Sequence, residues 1–123
     1  SPMSKTVLIV DDSASLRQVV SLSLKGAGYQ VIEACDGRDA LGKLGGQKVH
    51  LIISDVNMPN MDGIAFVREV KKNPSYKFTP VIMLTTEAAE EKKRLGQEAG
   101  ARAWVVKPFQ PQQMLAAVSK LVM

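Results

Sequence analysis

Polar side chains that are able to do chemistry stand at the ends of four short apolar runs in this sequence. Two of the runs end in carboxylates, one ends in a hydroxyl and one in a lysine; in chain order the residues are Asp11 and Asp12, Asp55, Thr85 and Lys107. If the runs are parallel strands, their carboxyl ends meet at one edge of the sheet, where open α/β folds bind ligands.

The types of these residues indicate phosphoryl transfer. Three carboxylates in one place cannot all stay ionised without a compensating positive charge. A hard divalent cation supplies that charge, and Mg²⁺ suits a site that has few carboxylates and shares a phosphate. Lys107 can hold a phosphate oxygen, Thr85 adds a hydroxyl donor, and a carboxylate such as Asp55 can itself be the nucleophile. The sequence contains no P-loop, so ATP is not expected as the direct donor.

Strands and helices must alternate five times along the chain to position these residues. Apolar runs predict strands over 6–10, 30–34, 49–54, 80–84 and 103–106. Helical spacing, caps and breakers predict helices over 13–26, 37–44, 62–73, 87–99 and 110–122. The alternation predicts an α/β fold, a flavodoxin-like (βα)5 doubly wound sheet of five parallel strands in the order 2-1-3-4-5. In that order strands 1 and 3 are neighbours, so their three acidic residues meet.

Composition indicates one ordinary globular domain, expected over residues 4–123. Of the 123 residues, 46% are hydrophobic and 23% charged, and the net charge of +4 is divided among separate helices instead of forming one basic face. We therefore expect no nucleic-acid partner. No apolar run is long enough for a bilayer and no secretory signal is visible, so we expect no membrane partner and a cytoplasmic location.

Single residues outside the site lead to further expectations. Ser1-Pro2, before Met3, is interpreted as a remnant of an expression vector. Cys35 is the only cysteine and ends an apolar run, which predicts a small buried side chain. His50 is the only histidine; it precedes the third strand, at the opposite end of the sheet from the site, so a structural role is expected.

The same residues carry a resemblance to a known family. From Thr6 onward the chain resembles the receiver domains of two-component response regulators. The matching motifs are Asp11-Asp12, Asp55 with Pro59 and Asp62-Gly63 downstream, Thr85, and Lys107-Pro108-Phe109. The stretch over 54–63 is most similar to the CheY type, the free-standing regulators of chemotaxis.

The resemblance implies how the site would be phosphorylated. Asp55 would accept a phosphoryl group from the phosphohistidine of a histidine kinase, which in chemotaxis would be CheA-like. Asp11 and Asp12 would hold Mg²⁺ together with Asp55 and the backbone carbonyl of Asn57. Lys107 would pair with the acyl phosphate.

The resemblance also implies how the signal would leave the site. Thr85 would move toward the phosphoryl group, and Trp104, at a position where the family usually has Tyr or Phe, would fill the vacated space as the switch residue. Asn57 and Glu87 would tune the lifetime of the phosphoryl group, and the Lys107–Pro108 peptide would be cis. A flagellar motor switch protein or a phosphatase would bind the face formed by helix 4, strand 5 and helix 5.

The sequence thus predicts a monomeric, single-domain response regulator in chemotaxis signalling that is not an enzyme, beyond catalysing its own phosphorylation and dephosphorylation. One alternative is a receiver domain excised from a longer, DNA-binding regulator. Another is an aspartate-nucleophile phosphohydrolase of the haloacid dehalogenase type. That class has its nucleophile after the first strand and an Asp two residues later, whereas here the acidic pair comes first and position 57 is Asn.

Overall fold

Five parallel strands form one sheet, and helices cover both of its faces. The computed structural model describes residues 4–86 and 90–122. Along the chain the elements are β1 (Thr6–Val10), α1 (Ala14–Gly26), β2 (Gln30–Ala34), α2 (Gly37–Leu44), β3 (Leu51–Asp55), α3 (Gly63–Lys72), β4 (Val81–Thr85), α4 (Glu90–Ala99), β5 (Ala103–Val106) and α5 (Pro111–Leu121). The strand order is β2-β1-β3-β4-β5, which confirms the predicted flavodoxin-like fold.

The apolar runs are continuous because the central strands are covered on both faces. Every residue of β3 and β4 is buried, as expected for strands inside a parallel sheet. Side chains alternate between the faces. Leu8 and Val10 of β1 join a core cluster under α2 and α3, whereas Val7 and Ile9 join a second cluster under α1 and α5.

The register of β1 and β3 brings the acidic residues together. Val10 of β1 pairs with Ser54 of β3, so Asp11 and Asp55 follow as neighbours. Asp55 is itself the last residue of β3, one position later than predicted. The strand continues because the N–H of Val56 still donates to the carbonyl of Leu84 in β4 at 2.9 Å. Strand β4 likewise ends one position later than predicted, at Thr85.

Most predicted helix boundaries are confirmed by their caps. Ser13 caps α1 by accepting a hydrogen bond from the N–H of Leu16 at 3.2 Å, and Asp62 caps α3 through the N–H of Ala65 at 2.8 Å. Helix α4 is observed from Glu90, and the predicted start of this helix over 87–89 lies outside the described residues. Within the part of the chain that is described, none of the helices has the length and apolar character needed to cross a bilayer.

Two predictions about burial are wrong. Cys35 is exposed, because it follows the last residue of β2, a strand at the sheet edge. Val19 recurs at helical spacing with Leu16, Val20 and Leu24 in the sequence, which predicts a place in the apolar stripe of α1, but it is 54% exposed. Consecutive helical residues point about 100° apart, so Val20 reaches the core while Val19 faces solvent.

Two leucines of α1 provide a matched test of this packing. Leu24 is 0% exposed and Leu22 is 64% exposed. We expect Leu24→Ala to lower the free energy of unfolding by about 3 kcal/mol, since it leaves a cavity in the core. Leu22→Ala should change it by less than about 0.5 kcal/mol. Urea unfolding measures both, and equal losses would contradict the described orientation of α1.

Candidate functional site

Three carboxylates converge at the carboxyl ends of β1 and β3. Each of Asp11, Asp12 and Asp55 offers an oxygen, and these three oxygens lie within 4.8 Å of one another. Asp11 is 0% exposed and Asp55 is 6% exposed, while Asp12 faces solvent. A cluster of hard oxygen donors that is open to water on one side fits Mg²⁺, which keeps several waters when proteins bind it.

A lysine from the end of β5 reaches the same cluster. Val106 of β5 pairs with Thr85 of β4, so Lys107 follows at the sheet edge, and its N–H donates to the carbonyl of Thr85 at 2.6 Å. The Lys107 Nζ lies 2.9 Å from Asp11 Oδ2 and 3.3 Å from Asp55 Oδ2. The expected cis peptide between Lys107 and Pro108 is confirmed.

The charges of the cluster are only partly balanced. Burial, and then the charge of Asp11, raise the pKa of Asp55, and this rise persists although Lys107 acts in the opposite direction. Burial alone would lower the pKa of Lys107, but its hydrogen bond to Asp11 and the charges of Asp11 and Asp55 raise it. A bound cation would relieve the remaining repulsion between the carboxylates.

The other residues of the predicted site lie on the surrounding elements. Thr85 is 2% exposed at the end of β4, next to Leu84, the register partner of Asp55. Asn57 is exposed at the start of the loop that follows β3. Glu87 lies outside the described residues, so its predicted role in phosphoryl lifetime stays a prediction.

Trp104 packs against α4. It pairs with Met83 in the sheet, and its ring lies so close to Gly96 that a Cβ at this glycine would be 2.5 Å from the Trp104 Cζ3. The indole N–H is buried and has no hydrogen-bond partner within residues 4–86 and 90–122. The ring is therefore held by shape, not by a polar anchor, and this contact joins β5 to α4.

Two structural supports of the site were not identified from the sequence. Gly63 is needed because a Cβ there would overlap the carbonyl oxygen of Asp55; the sequence indicated it only as part of a motif. Arg17 donates to the carbonyl of Asp11 at 2.6 Å and pairs with Glu33 at 3.2 Å. The only sequence signal for Arg17 is that its charged side chain stands three residues before Val20, on the side of α1 that faces the core.

The fold and site geometry agree with what the sequence matches. A family model described as the response regulator receiver domain matches residues 7–119 of the chain. The chain belongs to the response regulator receiver domain family. Among solved structures, the receiver is similar to the chemotaxis protein CheY4 of Vibrio cholerae, with 49% sequence identity and a TM-score of 0.94 over 98% of this chain and 100% of that chain.

Curated relatives differ in how much of their length this receiver covers. Protein PilG of Pseudomonas aeruginosa is 36% identical over 112 residues, which are 91% of this chain and 83% of PilG. PhoP, the alkaline phosphatase synthesis transcriptional regulatory protein of Bacillus subtilis, is 37% identical over 120 residues, or 98% of this chain and 49% of PhoP. The receiver thus spans about half the length of PhoP.

The raised pKa of Asp55 predicts how stability depends on pH. A carboxyl whose pKa is higher in the folded state destabilises the fold once pH exceeds its unfolded-state pKa. Without divalent cations, Asp55→Asn should therefore raise the free energy of unfolding at neutral pH, and the gain should vanish below about pH 4. Asp62→Asn, which keeps a capping side chain outside the cluster, is the control. Urea unfolding across this pH range measures both, and a gain for Asp55→Asn that is independent of pH would contradict the electrostatic cause.

Proposed function

We propose that this receiver is phosphorylated on Asp55 by a histidine kinase, in a Mg²⁺-dependent transfer that switches its binding to a partner. The observation that carries the proposal is the meeting of the three carboxylates, within 4.8 Å of one another, with the Lys107 Nζ at 3.3 Å from Asp55. A buried carboxylate beside a cation site and a lysine has what an in-line phosphoryl transfer requires.

In the proposed reaction, an Asp55 oxygen attacks the phosphorus of a phosphohistidine, the phosphorus–nitrogen bond breaks, and the imidazole leaves. Asp11, Asp12 and Asp55, with the backbone carbonyl of Asn57, would hold the metal. When bound, Mg²⁺ would neutralise charge on the transferred group. Lys107 already reaches both Asp11 and Asp55, so a small movement would bring it to a phosphoryl oxygen at Asp55.

The proposed switch runs from Thr85 to Trp104 and α4. Movement of Thr85 toward the phosphoryl group would leave space for the Trp104 ring, which rests on Gly96. Helix α4 buries only Gly96 and Ala99 among its described residues, so it has little apolar contact to resist a shift. Phosphorylation would thus change the populations of two arrangements of the α4–β5–α5 face. Asn57 and Glu87 would set the lifetime of the phosphoryl group.

We further propose a single-domain, monomeric, cytoplasmic signalling protein of chemotaxis, not an enzyme that turns over an external substrate. Its phosphodonor would be a CheA-like histidine kinase. Its target would be a flagellar motor switch protein or a phosphatase, not nucleic acid or membrane. Identity of 49% with CheY4 of Vibrio cholerae, over nearly the whole of both chains, supports this pathway.

A second candidate is the receiver part of a longer transcriptional regulator, which is favoured by the match to PhoP over 49% of its length. Binding of the beryllofluoride-loaded receiver to a motor switch protein or to a chemotaxis phosphatase would support the chemotaxis role. Binding to neither would favour the second candidate. Steady hydrolysis of a small phosphate ester would instead favour a phosphohydrolase.

Phosphorylation of Asp55 is tested with a small-molecule donor. With Mg²⁺ and phosphoramidate, the protein should gain the mass of one phosphoryl group, and Asp55→Asn should gain none, because the nucleophile is missing. Asp62→Asn, a carboxylate change outside the cluster, should react like the unaltered protein. Intact-mass spectrometry measures the products, and equal labelling of Asp55→Asn would refute the assignment.

The lysine's role is tested separately from metal binding. Lys107→Ala should still bind Mg²⁺, since three carboxylates remain, but should lose the change in fluorescence of Trp104, the only tryptophan, when beryllofluoride is added. Lys72→Ala, at an exposed ion pair on α3, should respond normally. A full fluorescence response in Lys107→Ala would argue against the lysine as the phosphoryl partner.

The contact of Trp104 with Gly96 is the subject of a further test. Gly96→Ala should displace the Trp104 ring, because the added Cβ would lie 2.5 Å from it, while alanine favours the helix. We expect a shifted emission maximum before phosphorylation and a smaller response to beryllofluoride. Gly42→Ala, where the added Cβ has open space, is the matched control. Unchanged emission and response in Gly96→Ala would contradict the coupling of Trp104 to α4.

A further inference from the structure

The loop that follows the phosphoacceptor strand is tied to the loop after β2. Asn60 Nδ2 donates a hydrogen bond to Asp36 Oδ2 at 2.7 Å. The other oxygen of Asp36 caps α2 by accepting from the N–H of Asp39 at 2.8 Å. Asp36 is 7% exposed, so its carboxylate is fixed from both sides in a largely buried position. It is thus a firm anchor for Asn60.

Asn60 combines a surface position with an uncommon backbone conformation. Its side chain is exposed, and its backbone has φ of 67°, a left-handed conformation in which asparagine is one of the few common non-glycine residues. The next residue, Met61, is held one position beyond Asp36, at the first residue of α2. A Cβ at Gly37 would lie 2.9 Å from the Met61 Cγ, so Met61 packs closely over that glycine. Two consecutive residues of the β3–α3 loop are therefore fastened to Asp36 and Gly37, at the start of α2.

The fastened loop begins at the reactive residue. It runs from Asp55 through Asn57 to Gly63, whose N–H donates to the carbonyl of Val56 at 2.7 Å and closes the loop. Between these ends, the side chain of Asn57 is exposed, so packing does not fix its position. The bond from Asn60 to Asp36 restrains the loop from the far side.

We propose that Asp36 and Asn60 are positioning residues, whose hydrogen bond holds the β3–α3 loop so that Asn57 and Asp55 are preorganised for the metal and the phosphoryl group. Strand β2 and its following loop contribute no group to the acidic cluster of Asp11, Asp12 and Asp55. The proposal gives this segment a part in the chemistry, and it rests on the proposed function of that cluster.

The electrostatics of Asp36 agree with this role. The hydrogen bond from the N–H of Asp39, and then the one from the Asn60 amide, hold the pKa of the Asp36 carboxyl below its ordinary value. The carboxylate is therefore ionised at neutral pH, and a charge-assisted hydrogen bond is stronger than a neutral one.

Three variants separate the hydrogen bond from the residues that make it. Asn60→Gly removes the amide and still permits the left-handed backbone. Asn60→Asp keeps a residue that tolerates this backbone but brings two carboxylates together. The double variant Asp36→Asn with Asn60→Asp re-forms the bond with donor and acceptor exchanged, and asparagine still caps α2. Asn73→Asp makes the same chemical change at the residue that follows the C-terminal end of α3 and is the control.

The readouts are Mg²⁺ affinity by calorimetry with the metal alone, amide hydrogen exchange of residues 57–61 without metal, and the initial rate of labelling by phosphoramidate. Asn60→Gly and Asn60→Asp should lower the affinity and the rate by about tenfold each and speed exchange in the loop. The double variant should recover most of the loss, and Asn73→Asp should match the unaltered protein. Urea midpoints should change little for Asn60→Gly and for the double variant, because Asn60 is exposed, whereas Asn60→Asp should lower the midpoint through repulsion between the two carboxylates.

Normal Mg²⁺ affinity and loop exchange in both single variants would overturn the proposal. So would failure of the folded double variant to recover, or a fall in urea midpoint that accounts for every change. If the unaltered protein is never labelled by phosphoramidate, the proposed function fails instead, and the metal and exchange readouts still decide the positioning role.

Discussion

Repulsion between carboxylates held close together at the end of a buried sheet is the constraint on which this structure depends. Asp11 and Asp55 are almost fully buried, and neither can move away because each continues a central strand. Lys107, which follows a third strand, β5, offsets part of this repulsion. Its Nζ lies 2.9 Å from Asp11 Oδ2 and 3.3 Å from Asp55 Oδ2. The excess negative charge that remains makes the site receptive to a cation, and the side chain that offsets the rest of that charge is a lysine directly after the edge strand β5.

The rigid and adaptable parts of the molecule are separated accordingly. Strands β3 and β4 are buried at every position, so the acidic site rests on the least deformable part of the fold. Helix α4 instead presents a polar surface, where Arg94 pairs with Glu91 and Glu98. Exposed pairs of this kind add little stability. In the proposed switch, a change of charge at the rigid site would be expressed as movement of α4, whose Gly96 contacts the Trp104 ring.

The fold and the acidic cluster were predictable because the fold follows from the pattern of apolar residues and the cluster from the residues at the strand ends. Buried parallel strands require consecutive apolar residues, and the residues that end such strands must share one edge of the sheet. Strands β3 and β4 each extend one residue beyond the apolar run that predicts them, to Asp55 and Thr85, because ladder hydrogen bonds continue past that run.

The supports of the site could not be predicted in the same way. The pairs Arg17–Glu33 and Asp36–Asn60 join residues from different elements, and they depend on side-chain direction and on one left-handed residue, none of which leaves a periodic signal. The exposure of Cys35 depends on the position of β2 at the sheet edge, which the apolar character of a residue does not reveal.

A crystal structure of this receiver with Mg²⁺ and beryllofluoride would test phosphorylation at Asp55 most directly. We expect beryllium to be bonded to an Asp55 oxygen and the metal to be held by Asp11, Asp12 and Asp55 with the carbonyl of Asn57. We also expect the Lys107 Nζ to have left Asp11 for a fluoride. Beryllofluoride bound elsewhere, or Lys107 still paired with Asp11 beside an occupied Asp55, would contradict the proposed mechanism.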